Sequence, residues 1–158
     1  MEFQVFQITL KNSVLDDAIL KAIDALILYP IIFEILSDEG VYIAATYKRK
    51  HELKQKMVID KAYFKSPMFP LESERQPLPP AISLKALYEA ILKTLLPLEA
   101  DKTKDLPIEE LLERIDKQKQ IEKEIVKLQK QIAVEKQFKK KIEQNRVLKA
   151  LQKALTEL

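Results

Sequence analysis

From Glu2 to Leu10 the chain places apolar residues at Phe3 and Val5, then at Phe6, Ile8 and Leu10. β-Branched and aromatic residues in near-alternation predict a strand. The change of phase between Val5 and Phe6 calls for a bulge or for a strand covered on both faces. Ser13 stands three residues before Asp16, a capping-box spacing, and Leu15, Ala18, Ile19, Ala22, Ile23 and Leu26 follow at helical intervals. This predicts a helix from about Val14 to Leu28. Tyr29-Pro30 ends it, because the residue before a proline is driven out of the α region.

The apolar run Pro30 to Leu36, the turn residues Ser37-Asp-Glu-Gly40 and the run Val41 to Tyr47 together predict a hairpin. Val41, Ile43, Ala45 and Tyr47 share one side of the second strand and Tyr42 and Ala44 the other. After the polar stretch His51 to Lys56, Met57 to Phe64 reads as one more strand. The order β, α, β, β, β over residues 1–65 defines an α+β sheet domain with one covering helix, whose core takes Ile19, Ile23, Ile31, Ile32, Phe33, Ile43 and Phe64.

Seven of the eight prolines lie between Pro67 and Pro107, and residues 66–82 form an extended Pro-rich connector wrapped over the sheet. Ser83 caps a docking helix over residues 83–96, whose apolar face carries Leu84, Leu87, Tyr88, Ile91, Leu92 and Leu95. Residues 107–158 contain no glycine and no proline after Pro107, and Glu, Lys, Gln, Leu and Ile dominate. Glu109, Glu110 and Glu113 at the start and lysines later suit the helix macrodipole. Unbroken, a helix of about fifty residues would reach roughly 75 Å. Ile121, Ile125, Leu128 and Ile132 follow heptad spacing, as do Leu148, Leu151, Leu155 and Leu158. Between them the phase slips at Glu135 and Asn145, which means stutters in a coiled coil or a break into a helical hairpin.

Composition narrows the chemistry. The 158 residues contain one glycine where about eleven would be average, so glycine-rich phosphate loops cannot be written. No cysteine and a single histidine remove thiol nucleophiles, disulfides, zinc ribbons and histidine-cluster metal sites. No cofactor and no small-molecule substrate is expected. The start lacks a signal-peptide pattern and no run of about eighteen apolar residues occurs, so the expectation is a soluble cytoplasmic protein with no membrane partner. The net charge of +3 is small, and any case for nucleic acid rests on where the charge sits.

Ala44-Ala45-Thr46-Tyr47-Lys48, Leu78-Pro79 leading into Ser83-Leu84 and Leu87-Tyr88, and above all Glu135-Lys136-Gln137-Phe138 continuing through Lys141-Ile142-Glu143-Gln144-Asn145 and Leu148-Lys149 resemble an uncharacterised prokaryotic family, domain-of-unknown-function family 4391. The resemblance spans nearly all of the chain, and its last segment is the most specific part. It implies an architecture and no catalytic residues. It also implies relatives with a further N-terminal segment, so that this chain is a short member or a fragment, and a restriction or phage-defence setting.

Single residues add little chemistry. His51 lies in a polar stretch and reads as a solvated loop histidine, because a general base needs a positioned partner. A metal-dependent nuclease would need a carboxylate on one strand and an acid-x-Lys unit on the next. Glu34 and Lys48 could face each other, but Thr46 occupies the acid's place two residues before Lys48. No catalytic residue is assigned. Lys136, Lys139, Lys140, Lys141, Arg146 and Lys149 crowd one segment, with Lys136, Lys139 and Lys140 on one side of a continuous helix; they read as a solvated coiled-coil flank or as a phosphate-contacting stripe. Glu135, Gln137, Gln144 and Asn145 either fix the register of the seam or are simply wet. The reading is a non-catalytic assembly or protein-interaction module. It forms a homo-oligomer or engages a protein partner through Ile121, Ile125, Leu128, Ile132, Leu148, Leu151 and Leu155, while the sheet domain offers a second surface. The alternative is a DNA-associated accessory protein that grips phosphates without reading bases.

Overall fold

The computed structural model describes residues 2–11, 15–50, 57–60, 62–98 and 105–157. Ser13, His51 with the stretch to Lys56, and Leu158 lie outside them. The fold is α+β and forms two compact units, Met1–Asp101 and Lys102–Leu158. Among the described residues no helix is long and apolar enough to cross a membrane.

In the first unit β1 (Gln4–Thr9) is followed by α1 (Asp17–Leu26) and by the hairpin of β2 (Ile31–Ser37) and β3 (Gly40–Ala45). The single strand expected from Met57 to Phe64 is instead two, β5 (Met57–Ile59) and β6 (Phe64–Lys65), and a further short strand, β4 (Lys48–Lys50), precedes them. The main sheet has the order β1-β2-β3-β6, with β1 parallel to β2 and the other pairs antiparallel, while β4 and β5 form a separate ribbon. The split has a cause at Thr46. Its hydroxyl donates to Ala62 O at 2.8 Å, with Asp60 O at 3.2 Å, so the chain is pinned where it changes sheets.

β1 has neither a bulge nor two covered faces. Its register with β2 is regular, and its residues alternate strictly between half-buried and exposed. Phe6 and Ile8 join the core of Leu20, Ile31, Phe33, Ile35 and Ala44, whereas Val5 stays 59% exposed. Removing side chains such as Leu20 and Phe33 from water stabilises this core by about 1.5–3 kcal/mol each.

α1 starts three residues later than the spacing predicts, because Asp16 is the N-cap and accepts from the Ala18 N–H at 2.8 Å. It is also turned about its axis relative to the predicted stripe. Leu20, Ile23 and Asp24 point inward, while Ala18, Ile19, Ala22 and Leu26 are exposed. The reason is a charged partner for Asp24, described below. At the β2–β3 turn Gly40 adopts φ +146°, and a Cβ there would meet Phe69 O at 2.3 Å. That close approach is made by the start of the Pro-rich connector, where Phe69 and Val41 exchange two backbone hydrogen bonds of 2.8 Å. Beyond it residues 71–78 are exposed, with a turn at Leu71–Glu72 in which the Ser73 N–H donates to Pro70 O at 3.0 Å and no regular element after it. The docking helix α2 (Leu84–Leu95) is capped by Ser83, which accepts from the Ala86 N–H at 3.1 Å, and buries Tyr88, Leu92 and Leu95 against a surface that includes β3 and β6.

The second unit contains two helices, α3 (Ile108–Val134) and α4 (Phe138–Thr156), joined at Glu135–Gln137 and packed on each other as a helical hairpin. Of the two alternatives left by the phase slip, the break is the one observed.

Candidate functional site

α1 carries no basic residue in its last turn, so its C-terminal carbonyls lack a local cation. Lys48 supplies one from β4. Its Nζ donates to Asp24 O at 2.6 Å and to Ile27 O, and stands 3.4 Å from Asp24 Oδ1. A cation at this end is favoured by the helix macrodipole, and three acceptors satisfy the three ammonium donors. Tyr63 donates its hydroxyl to the other carboxylate oxygen, Asp24 Oδ2. Tyr88 of α2 donates to Thr46 O at 2.6 Å and accepts from the Lys48 N–H at 3.2 Å, and its ring stacks on Tyr47 with centroids 6.5 Å apart. One buried network therefore joins α1, β4, the segment before β6, and α2.

Burial raises the Asp24 carboxyl above the usual carboxylate range, against the lowering effect of Tyr63 and Lys48. Burial also pushes the Tyr63 and Tyr88 hydroxyls well above the ordinary phenol value, with Asp24 adding to both shifts. Asp24 and Tyr88 are buried and Tyr63 is half-buried, and each is hydrogen-bonded within the network. Their chemistry is fastening: a charge held in the core by complete hydrogen bonding.

Glu34 and Lys48 do not form a pair. Glu34 takes Arg75 of the connector at 2.6 Å, while Lys48 is committed to Asp24 and the end of α1. Nothing in the sequence groups Asp24, Tyr63 and Tyr88, which stand far apart along the chain. The one local signal is Asp24 itself, a carboxylate one helical turn after Leu20 on what proves to be the inner face of α1.

In the hairpin, the apolar seam predicted in two pieces is assembled within one chain. Ile125 is buried and Ile121, Leu128 and Ile132 half-buried on α3, and Leu148, Leu151 and Leu155 are the half-buried leucines of α4. The break is made without glycine or proline. Glu135 and Gln137 take extended backbone angles, and Glu135 Oε1 accepts from the Gln137 N–H at 2.8 Å. Asn145 is exposed and bonds its own helix at Lys141 O, 2.7 Å away, so it does not set the register. Gln144 instead lies half-buried, its Oε1 without a hydrogen-bond partner among the described residues, beside an open groove of about 500 Å³ lined also by Gln131, Val134, Glu135, Lys136 and Gln137.

The predicted basic residues are all exposed. They do not form one stripe, because Lys136 sits in the turn and the others belong to α4. Lys139, Lys140 and Lys141 occupy the first turns of α4, which has no acidic residue there and no side-chain cap. Cations at a helix N-terminus oppose the macrodipole, by about 0.3–1 kcal/mol each. Next to them Val134 and Phe138 are 77% and 76% exposed, and Ile142 is exposed as well. The tip of the hairpin thus combines positive charge from two sources, four lysines and the amide end of α4 without a side-chain cap, with bare apolar side chains.

No curated protein and no solved structure matches the chain. Over residues 1–155 it matches the family described as Domain of unknown function (DUF4391), and the chain belongs to that family.

Proposed function

We propose that the chain is a non-catalytic interaction module whose contact element is the hairpin tip, and that the tip docks on an acidic protein surface in the cytoplasm. The observation that carries this reading is the pairing of exposed Val134 and Phe138 with Lys136, Lys139, Lys140 and Lys141. Apolar side chains left bare at the end of the hairpin, beyond the seam where α3 and α4 pack on each other, are surface that a partner can cover. A carboxylate-rich partner would relieve the unfavourable lysines at the start of α4 and cover both side chains together. The restriction or phage-defence setting implied by the family resemblance is compatible with such an accessory role.

The test compares proteins that co-purify from cells with the wild type, with Val134→Asp/Phe138→Asp, and with a Lys50→Glu control outside the hairpin. A partner retained by the wild type and control and lost by the tip variant supports the reading. Identical partner sets from all three would overturn it.

The second reading, a DNA-associated accessory protein, is favoured by the exposure of Lys136, Lys139, Lys140, Lys141, Arg146 and Lys149. Its signature is a complex with short duplex DNA that weakens steeply with salt and ignores sequence. Replacing Val134 and Phe138 with neutral serine would leave that complex intact, whereas reversing the lysines would abolish it.

A further inference from the structure

The two edges of the main sheet are built differently. At one end β6 is two residues long and carries Lys65, which is paired with Asp17 at 2.7 Å. Short edges and edge lysines are devices that keep sheets from pairing with one another. At the other end β1 runs for six residues, Gln4-Val-Phe-Gln-Ile-Thr9, with no charge, no proline and no bulge. This edge is unguarded.

Its hydrogen-bonding groups can be assigned residue by residue. Gln4 N donates to Pro30 O at 2.9 Å and Leu10 N to Leu36 O at 2.8 Å, and the parallel register repeats every second residue. Gln4, Phe6, Ile8 and Leu10 therefore face β2, and Val5, Gln7 and Thr9 turn their N–H and C=O groups outward. All three of these residues are exposed, and no partner strand adjoins them among the described residues.

We infer that β1 is a self-complementary edge and that two copies of the chain pair β1 to β1 in antiparallel fashion about a two-fold axis at Gln7. Only this register uses every outward group. It sets Val5 opposite Thr9 of the second copy, Gln7 opposite Gln7, and Thr9 opposite Val5, with roughly six main-chain hydrogen bonds, two for each bonded pair. Phe6 then lies opposite Ile8 of the second copy on the core side, so each sheet continues the apolar layer of the other. The Val5–Thr9 pairs are β-branched, a favourable cross-strand combination. At the ends, the Glu2 flank of one copy meets the Lys11 flank of the other, opposite in charge. The interface is isologous and closes on itself, giving a dimer and not a fibre. It is independent of the hairpin tip.

Light scattering on the 158-residue chain from low to high micromolar concentration, with backbone amide exchange, tests this. The wild type should reach twice the monomer mass, and the Val5, Gln7 and Thr9 amides should gain protection only in the dimer, those of Phe6 and Ile8 being protected throughout. Val5→Lys/Thr9→Lys puts two ammonium groups opposite each other in each pair and should weaken the dimer about tenfold or more. Gln7→Pro removes the outward N–H at the two-fold while sparing every bond to β2, and should do the same. With circular dichroism unchanged in at least one of these variants, loss of the dimer supports the inference. A wild type that stays monomeric, or a dimer that persists undiminished in the folded variants, overturns it.

Discussion

The Lys48 ammonium and the Asp24 carboxylate lie 3.4 Å apart with both side chains buried, linking the strand after β3 to the end of α1. Removing one partner leaves the other charged and uncompensated in the core. Lys48→Met and Asp24→Leu should each lower unfolding free energy by about 3–5 kcal/mol. The double variant should lose less than the sum, since an apolar pair of similar volume can replace a buried ion pair. Urea unfolding of the three variants measures the coupling; strictly additive losses would show that the pair does not act as one unit.

The network also fixes an alkaline limit. Tyr63 and Tyr88 hold their protons more tightly in the folded state than at the ordinary value of 10.0. Their contribution is fully present below about pH 10 and is lost as pH climbs further, because the unfolded chain releases those protons first. These two tyrosines should ionise only as the fold is lost, seen as an ultraviolet absorbance step coincident with the change in circular dichroism. Complete titration of all five tyrosines in a still-folded protein would contradict this.

Gly40 is the point where the connector crosses the β2–β3 turn. With φ at +146° and Phe69 O only 2.3 Å from where a Cβ would stand, Gly40→Ala should cost about 2 kcal/mol or more. A shift of the denaturant midpoint with unchanged slope is the expected readout. A midpoint equal to that of the wild type would mean that the turn and Phe69 move apart freely.

Much of this architecture was legible in the chain. Alternation predicts β1 and the β2–β3 hairpin, Ser83 marks the start of α2, and of the two phase slips, each open to a stutter or a break, the one at Glu135 is where the long helix breaks while α4 runs on through Asn145. Three features were not legible, each for a physical reason. Lys48 stands in a Lys-Arg-Lys run that reads as solvated, and its burial depends on Asp24, far away in sequence. The rotation of α1 follows from that same contact, since the apolar stripe by itself would have turned Ile19 and Leu26 inward. Val5 looks like a core residue by type, but its side of β1 is uncovered, which only the position of β1 at the sheet edge reveals.

The break at Glu135–Gln137 rests on local polar chemistry, with no residue that forbids a helix. Glu135→Leu removes the carboxylate that accepts from the Gln137 N–H and completes the heptad series from Ile121 to Ile132. The change should favour a continuous helix by about 1 kcal/mol and convert part of the protein to a form in which hairpins exchange between copies. The chain has no cysteine, so spin labels can be placed through Lys117→Cys and Glu157→Cys, positions that line one groove between α3 and α4. In excess unlabelled protein the short distance should persist with Glu135 in place and weaken with Glu135→Leu. An unchanged distance distribution would show that the turn does not depend on this side chain.

Recruitment of a protein partner by the hairpin tip is what we propose as the function. Its most direct measurement is the quantitative comparison of co-purifying proteins between the wild type and Val134→Asp/Phe138→Asp, after nuclease treatment, with helicity checked in both. At least one acidic partner should be lost with the tip variant and kept by the wild type. Equal recovery of every partner, or a partner set that vanishes with nuclease alone, would contradict it.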